Sequence, residues 1–361
     1  MLPELSDRLL RDWRSYFGSV ATPADLHYLG IPGSVEGGTT TFLAFAPDRN
    51  DPLFCVKAHR AIGAEGRVSQ EAETLTYLKE LGIAGVPQAI IHGSIQDTAY
   101  IVSTILPGKP MSVAVGSEGV PVAESAKKDF QRAFSWLEQL HKALRARSTF
   151  SAPTAADWPA LRREFSDAFH LSDTERSFLD LIEQGLAPVR GGGLQHGDYC
   201  RHNILVPDAD EGDALRIIDW TDSRRPGWPL HDQFFFASTY FLQARQRPGL
   251  EGFLRAFEDT FFSEKQFGRI VRGAIQDSAV KLGIRGGLLA LFGVFLVERS
   301  LFERRQLLAC RERSGLPRFA AYIAVAHNLA YADAPDAQLW IRFFRHAASN
   351  RNLLIDAGWG N

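Results

Sequence analysis

Cysteine is scarce in this 361-residue chain: Cys55, Cys200 and Cys310 are an odd number of thiols spread far apart. That argues against a disulfide framework and fits a reducing compartment, so a cytoplasmic protein is expected. An excess of charge of either sign is also missing, with 40 Lys and Arg against 42 Asp and Glu. Without a basic field to condense onto phosphate backbones, nucleic acid is not expected as a partner. Long apolar runs are absent too. The longest, 286–297, is bounded by Arg285 and Glu298 and falls well short of the roughly 20 residues that cross a bilayer. It reads as a buried core helix, and no membrane span is expected. The opening segment, MLPELSDRLLRDWRSYF, lacks the apolar stretch of a secretion signal and has the spacing of an amphipathic helix. There is no internal repeat, no low-complexity tract, no protein-kinase GxGxxG and no GxxxxGK[ST].

What is present divides the chain by pattern. Three β-type runs, around 26–31, 39–46 and 53–58, are separated by turns rich in Gly, Asp, Pro and Asn. A helical pattern over 68–81 puts Ala72, Leu75, Leu78 and Leu81 on one face, with Gly82 placed to stop it. Two further strand-like runs, 88–92 and 99–105, end at Pro107-Gly108. The order is therefore β-β-β-α-β-β. Beyond a Gly- and Pro-containing stretch, helices are expected over 123–147, 160–169 and 172–184. A β-type segment with turns follows over 194–220, and helices resume from about 230 to the end. The expected fold class is α+β. We divide the chain into an N-terminal helix (1–24), a sheet-rich lobe (25–107) and a helical lobe (108–361) carrying a functional loop at 194–220.

The strongest local signal is His196-Gly197-Asp198-Tyr199-Cys200-Arg201-His202-Asn203, followed by the apolar run Ile204-Leu205-Val206 and then Ile217-Ile218-Asp219-Trp220. An HxDxxxxN loop puts a carboxylate and an amide on one turn, where Asp198 can accept a hydroxyl proton while Asn203 faces a metal. A second strand delivers Asp219 from its end. Oxygen ligands of this kind suit a hard ion such as Mg²⁺. Upstream, Lys57 lies in the β-type run Phe54-Cys55-Val56-Lys57, after a glycine-rich turn over 33–40. Backbone amides at Gly37, Gly38 and Thr39 can approach phosphate closely, and a strand lysine supplies a point charge to the same phosphates. Glu71 or Glu73 can hold that lysine, and spacing favours Glu71.

On these residues the chain resembles the aminoglycoside phosphotransferase and choline kinase family, which has the protein-kinase-like two-lobe fold. The likeness spans about 29–237. It implies an alcohol-group phosphotransferase using ATP or GTP with Mg²⁺. Asp198 would be the catalytic base, and Asn203 and Asp219 the metal ligands. Lys57, paired with Glu71, would be the phosphate contact, and backbone groups near Thr104 and Leu106 would meet the nucleotide base. Trp220 stands where a protein kinase has Phe, and no APE segment follows, so a small acceptor is expected rather than a protein.

Competing readings are weaker. His196, Cys200 and His202 have zinc-like spacing but no fourth ligand nearby. Asp222 and Asp232 read as a loop cap and a helix N-cap in preference to substrate-binding residues, and Phe234-Phe235-Phe236 as core in preference to a sugar platform. Arg285, Arg299, Arg304, Arg305, Arg311 and Arg313 make the C-terminal part locally basic. That points away from a polycationic aminoglycoside and toward a neutral or anionic sugar or glycan precursor, unless these arginines form a solvated helix face. An amino alcohol is a further candidate acceptor. The alternative of another class is a nucleotide-binding scaffold without turnover.

Overall fold

A computed structural model of the protein describes residues 1–31, 39–59, 64–116, 121–147, 157–189, 192–208, 214–244, 250–313 and 338–360. In chain order the elements are α1 (Leu2–Arg11), α2 (Trp13–Phe17), β1 (His27–Ile31), β2 (Thr39–Phe45), β3 (Phe54–His59), α3 (Ala64–Glu80), β4 (Ala89–Ile95), β5 (Thr98–Ser103), β6 (Lys109–Pro110), α4 (Ala123–Ala146), α5 (Trp158–Ala168) and α6 (Asp173–Leu186). There follow β7 (Gly193–Gln195), a 3₁₀ turn (Arg201–Asn203), β8 (Ile204–Val206), β9 (Arg216–Ile217), β10 (Arg224–Gly227), α7 (His231–Ala244), α8 (Leu250–Phe261), α9 (Gln266–Lys281), α10 (Leu288–Arg313), α11 (Leu339–Ser349) and α12 (Arg351–Leu354). The class is α+β, and the chain forms two compact units: Met1–Lys109 with Leu205–Ser223, and Pro110–Ile204 with Arg224–Asn361.

The first unit is built on an antiparallel sheet in the order β1-β2-β3-β5-β4. Alternation along β3 sorts its side chains between two faces. Phe54 and Val56 join Ala44, Tyr100 and Val102 in a buried cluster that α1 and α2 cover with Leu5, Leu9 and Trp13. Cys55, Lys57 and His59 take the opposite face, where α3 lies against β3, β4 and β5. Val68, Ala72, Leu75 and Leu78 of α3 are buried at helical spacing. The helix starts at Ala64 rather than at Val68 as the periodicity suggests. Glu65 favours the extra turn because negative charge is stabilised at a helix N-terminus.

The second unit is mainly helical. Helix α4 packs on α9, α10 packs on α5, α6, α7 and α11, and β7 pairs antiparallel with β10. Helix α7 is buried almost all round, with Phe234, Phe235 and Phe236 at 0%, 4% and 0% exposure. Those three rings are core, as a helix apolar on every side requires. The apolar run expected as a buried helix is the first half of α10, with Leu291, Phe292, Val294 and Val297 all buried. Among the described residues no helix is long and apolar enough to cross a membrane.

Candidate functional site

Within the first unit a lysine is enclosed by two carboxylates. Lys57 stands at the centre of the sheet, its backbone opposite Thr41 on one side and Ile101 on the other. Its ammonium donates to Glu71 Oε1 at 2.6 Å and to Asp219 Oδ1 at 2.8 Å. The Lys57 and Glu71 side chains are only 14% and 4% exposed, whereas Asp219 is 43% exposed. Burial by itself would lower the Lys57 pKa, but Asp219 and Glu71 outweigh it and hold it above the ordinary value. Spacing selected Glu71 over Glu73, and the structure agrees: Glu73 is exposed. The same surroundings push the Cys55 thiol up to about 11, through burial first and the two carboxylates second, against the opposing pull of Lys57.

Asp219 reaches this position through a tight local arrangement. Its φ is +66°, a left-handed conformation that costs a non-glycine residue about 1 kcal/mol and persists only where neighbours enforce it. Trp220 enforces it from one side, fully buried with its indole N–H donating to Ile217 O at 3.1 Å. Upstream, Ile217 N–H donates to Gly85 O at 2.7 Å. Gly85 has φ +75°, and a Cβ there would lie 2.3 Å from Leu215 O, so only glycine lets the loop after α3 approach β9 this closely.

Sequence reasoning missed Thr221 and Ser223, which flank Asp222. Thr221 Oγ1 lies within donating distance of Asp219 Oδ1 at 2.8 Å and of Glu71 Oε2 at 2.9 Å, with one proton to give, and accepts from Lys57 Nζ at 3.3 Å. Asp222, expected as a loop cap, instead accepts from Arg67 at 2.7 Å. Ser223 accepts from Gln70 at its carbonyl and meets Thr74 through its hydroxyl at 3.0 Å. The run 221–223 is thus tied to four residues of α3, and only the carboxyl and hydroxyl side-chain types announced it.

Just past the end of β5, Thr104 N–H is committed to Gln88 O at 3.0 Å. The Thr104 carbonyl and the Leu106 amide carry no hydrogen bond among the described residues. Gly37 and Gly38 lie outside the described residues. Thr39, which follows them, meets His59 Nδ1 through its hydroxyl at 2.8 Å. Burial first, then Arg67 and Lys57, hold the His59 imidazole down to about 4, so it is neutral.

In the second unit the HxDxxxxN residues form one braced loop. His196 N and Gly197 N donate to the two carboxylate oxygens of Asp232 at 2.8 and 3.0 Å. This corrects the reading of Asp232 as a helix N-cap: its carboxylate, one residue inside α7, supports the loop. Burial would raise the Asp232 carboxyl, but His231, His196 and the His196 amide outweigh that and lower it. His196 Nδ1 accepts from Asp198 N at 3.2 Å, and Tyr199 is anchored through its hydroxyl on Ala133 O at 2.8 Å. Gly197 takes φ +84°, which a side chain would strain. In a run where His196, Gly197, Tyr199 and Cys200 are buried, Asp198 alone is partly exposed.

Asn203 closes the loop, with Nδ2 donating to Asp198 O at 2.9 Å and Asp198 Oδ2 at 2.8 Å. Both partners are acceptors, so the amide nitrogen must face them, and the Asn203 oxygen is left to point elsewhere. His202 is exposed while His196 and Cys200 are buried. Among the described residues no group of three or more His, Cys, Asp or Glu is arranged around a metal position, so the zinc-like spacing does not assemble into a site. Three basic residues of α10 have partners in this unit. Arg299 lies over Phe235, Arg304 over Phe169, and Arg305 Nε donates to Glu164 at 3.0 Å.

The sequence matches the family model APH, phosphotransferase enzyme family, over residues 40–269. A search of the curated proteins finds no match. Three solved structures illustrate what the chain is similar to. The macrolide 2′-phosphotransferase MphH of Brachybacterium faecium, an apoenzyme, shares 21% identity at TM-score 0.43, over 79% of this chain and 92% of that one. The aminoglycoside phosphotransferase APH(3″)-Id of Streptomyces rimosus shares 17% at 0.42, over 80% and 98%. APH(2″)-IIIa, in its complex with GDP and kanamycin, shares 14% at 0.47, over 96% and 98%.

Proposed function

Since this chain belongs to the phosphotransferase enzyme family, whose model spans 40–269, we propose that it is a small-molecule kinase. It moves the γ-phosphoryl group of ATP or GTP to a hydroxyl of a sugar, aminoglycoside, amino alcohol or glycan precursor. The observation that carries this reading is the Lys57–Glu71–Asp219 cluster. Enclosing an ammonium and a carboxylate at 14% and 4% exposure is energetically unfavourable compared with apolar packing of similar volume. Such a cluster is retained for what it binds, and a lysine beside an exposed carboxylate suits a metal-bound polyphosphate.

In this reading Lys57, held by Glu71, contacts the donor phosphates. The Thr104 carbonyl and Leu106 amide, both unclaimed among the described residues, offer an acceptor and a donor to the nucleotide base. Gly37, Gly38 and Thr39 are proposed for the phosphates on sequence grounds. Asp198 accepts the proton of the attacking hydroxyl, a task for a positioned carboxylate that is not fully buried. The fit to magnesium is chemical: the Asn203 oxygen is left over once its nitrogen is bound to Asp198, and the Asp219 carboxylate is exposed, both hard oxygen donors. When bound, Mg²⁺ would be held by Asn203 and Asp219 and would neutralise charge on the transferring phosphate. The two free thiols described, Cys55 and Cys200, suit a cytoplasmic setting.

The test is nucleotide consumption by purified protein against a panel of alcohol-bearing metabolites, with nucleotide binding measured in parallel. Turnover that depends on an added alcohol supports the kinase reading. Tight nucleotide binding without turnover on any acceptor, or in water, favours a scaffold instead.

A further inference from the structure

Most of the second unit's C-terminal helices, α10 to α12, lie beyond the residues that the family model matches, and their sequence carries no motif. The middle of α10 nevertheless reaches the loop that bears Asp198. Arg299 Nη1 donates to Gly197 O at 3.1 Å. Its guanidinium carbon stands 4.2 Å from the Phe235 ring centroid, 4.6 Å from Phe302 and 5.3 Å from Trp340. Three ring faces around one cation stabilise its charge and restrict its rotamers, so it presents its donors in a fixed direction.

The preceding residue, Glu298, is 8% exposed. It accepts from Arg224 at 2.9 Å and lies 3.6 Å from His231 Nε2. Arg224 belongs to β10 and pairs with Gln195, the residue just before the loop. His231 precedes Asp232, which holds the loop's two amides. Consecutive residues of α10 therefore reach the loop's carbonyl and two parts of its scaffold.

We propose that Arg299 is a positioning residue that fixes the Gly197–Asp198 peptide, so that the C-terminal helices complete the catalytic loop. The proposal rests on the assignment of Asp198 as the base. At a glycine with φ +84°, little besides hydrogen bonds sets the orientation of the flanking peptides. Asp232 holds the amide of Gly197, and Arg299 holds its carbonyl. A cationic donor on that carbonyl also polarises the peptide and strengthens the Asp198 N–H toward His196 Nδ1. Without Arg299 the peptide plane is held only through the 3.2 Å bond from Asp198 N–H to His196 Nδ1, and its turning carries the Cα of Asp198 with it. The competing role is that of a contact for an anionic acceptor.

Hydrolysis of Mg-ATP or Mg-GTP by water, with no acceptor added, separates the two roles. Arg299→Met should lower kcat at least tenfold with the nucleotide KM within about threefold of wild type. Arg299→Lys keeps a charged donor and should recover kcat to within about threefold. Hydrogen exchange of the amides at 196–203 should be at least tenfold faster in Arg299→Met, with those at 55–58 unchanged. Wild-type water hydrolysis and loop exchange in Arg299→Met would overturn the proposal, and a loss confined to phosphorylated alcohols such as glucose 6-phosphate would assign Arg299 to the acceptor. If Arg299→Met does not fold, Phe302→Leu removes one ring and spares the donor: loop exchange should rise severalfold, and unchanged exchange overturns the proposal. A wild type that consumes neither nucleotide, in water or with any added alcohol, would sink the kinase reading alone, since exchange still decides the loop's dependence on Arg299.

Discussion

Thr221 Oγ1 stands 2.9 Å from Glu71 Oε2 while also 2.8 Å from Asp219 Oδ1, so one hydroxyl proton faces two carboxylates. A hydroxyl donates one hydrogen bond at a time, and Lys57 already donates to both acids. In the proposed binding mode Asp219 would engage the metal-bound nucleotide, which would leave the Thr221 proton to Glu71 and keep Glu71 fixed on Lys57.

Replacing Thr221 by Val removes that proton while preserving shape. Mg-ADP affinity, measured by calorimetry, should fall roughly tenfold, the equivalent of one hydrogen bond to a charged group. Thr221→Ser should bind within about twofold of wild type. Equal affinity in Thr221→Val would remove the hydroxyl from the site.

The Lys57–Glu71 pair makes a stability prediction that is independent of turnover. Lys57→Met leaves Glu71 buried, and Asp219 without its cation, so denaturant unfolding should show a loss of about 3 kcal/mol. The double change Lys57→Met with Glu71→Leu should regain most of that loss. Additive losses would mean that the two side chains do not act as a pair.

His141, buried on α4, is held down to about 4 by burial and secondarily by Arg145, against the opposing charge of Asp232. Its folded value is below the unfolded value of about 6.5, so the unfolded chain binds more protons between the two. Stability should therefore be full above about pH 6.5 and fall as pH drops toward about 4, by roughly 3 kcal/mol from this residue. Unfolding titrations of His141→Gln should show a shallower acid limb than wild type. An unchanged slope would contradict the burial of a neutral imidazole.

Much of this was legible because strands and helices leave different periods. Alternation placed Lys57 opposite Phe54 and Val56, and helical spacing placed Glu71 where a lysine on β3 can reach it. The loop around Asp198 was legible because its polar residues are close in sequence. What could not be read are pairings across long separations. Arg67 with Asp222, Thr74 with Ser223 and Arg299 with Gly197 join residues of ordinary surface type whose partners no local pattern names. Asp232 shows the same difficulty, since a carboxylate near a helix start has a sufficient local explanation, and only the fold brings two loop amides to it. The grouping of Leu205–Ser223 with the sheet unit is another long-range fact, set by Gly85 and the α3 contacts. The glycine-rich residues 33–38 lie outside the described residues.

The most direct test is Asp198→Asn, which preserves shape and keeps an oxygen within reach of Asn203. Phosphate transfer or release from whichever of Mg-ATP and Mg-GTP the wild type consumes should fall by about a thousandfold, the usual contribution of a positioned base. Mg-ADP affinity should stay within about threefold. A variant that keeps most of its turnover would contradict the assignment of Asp198 and, with it, the proposed mechanism.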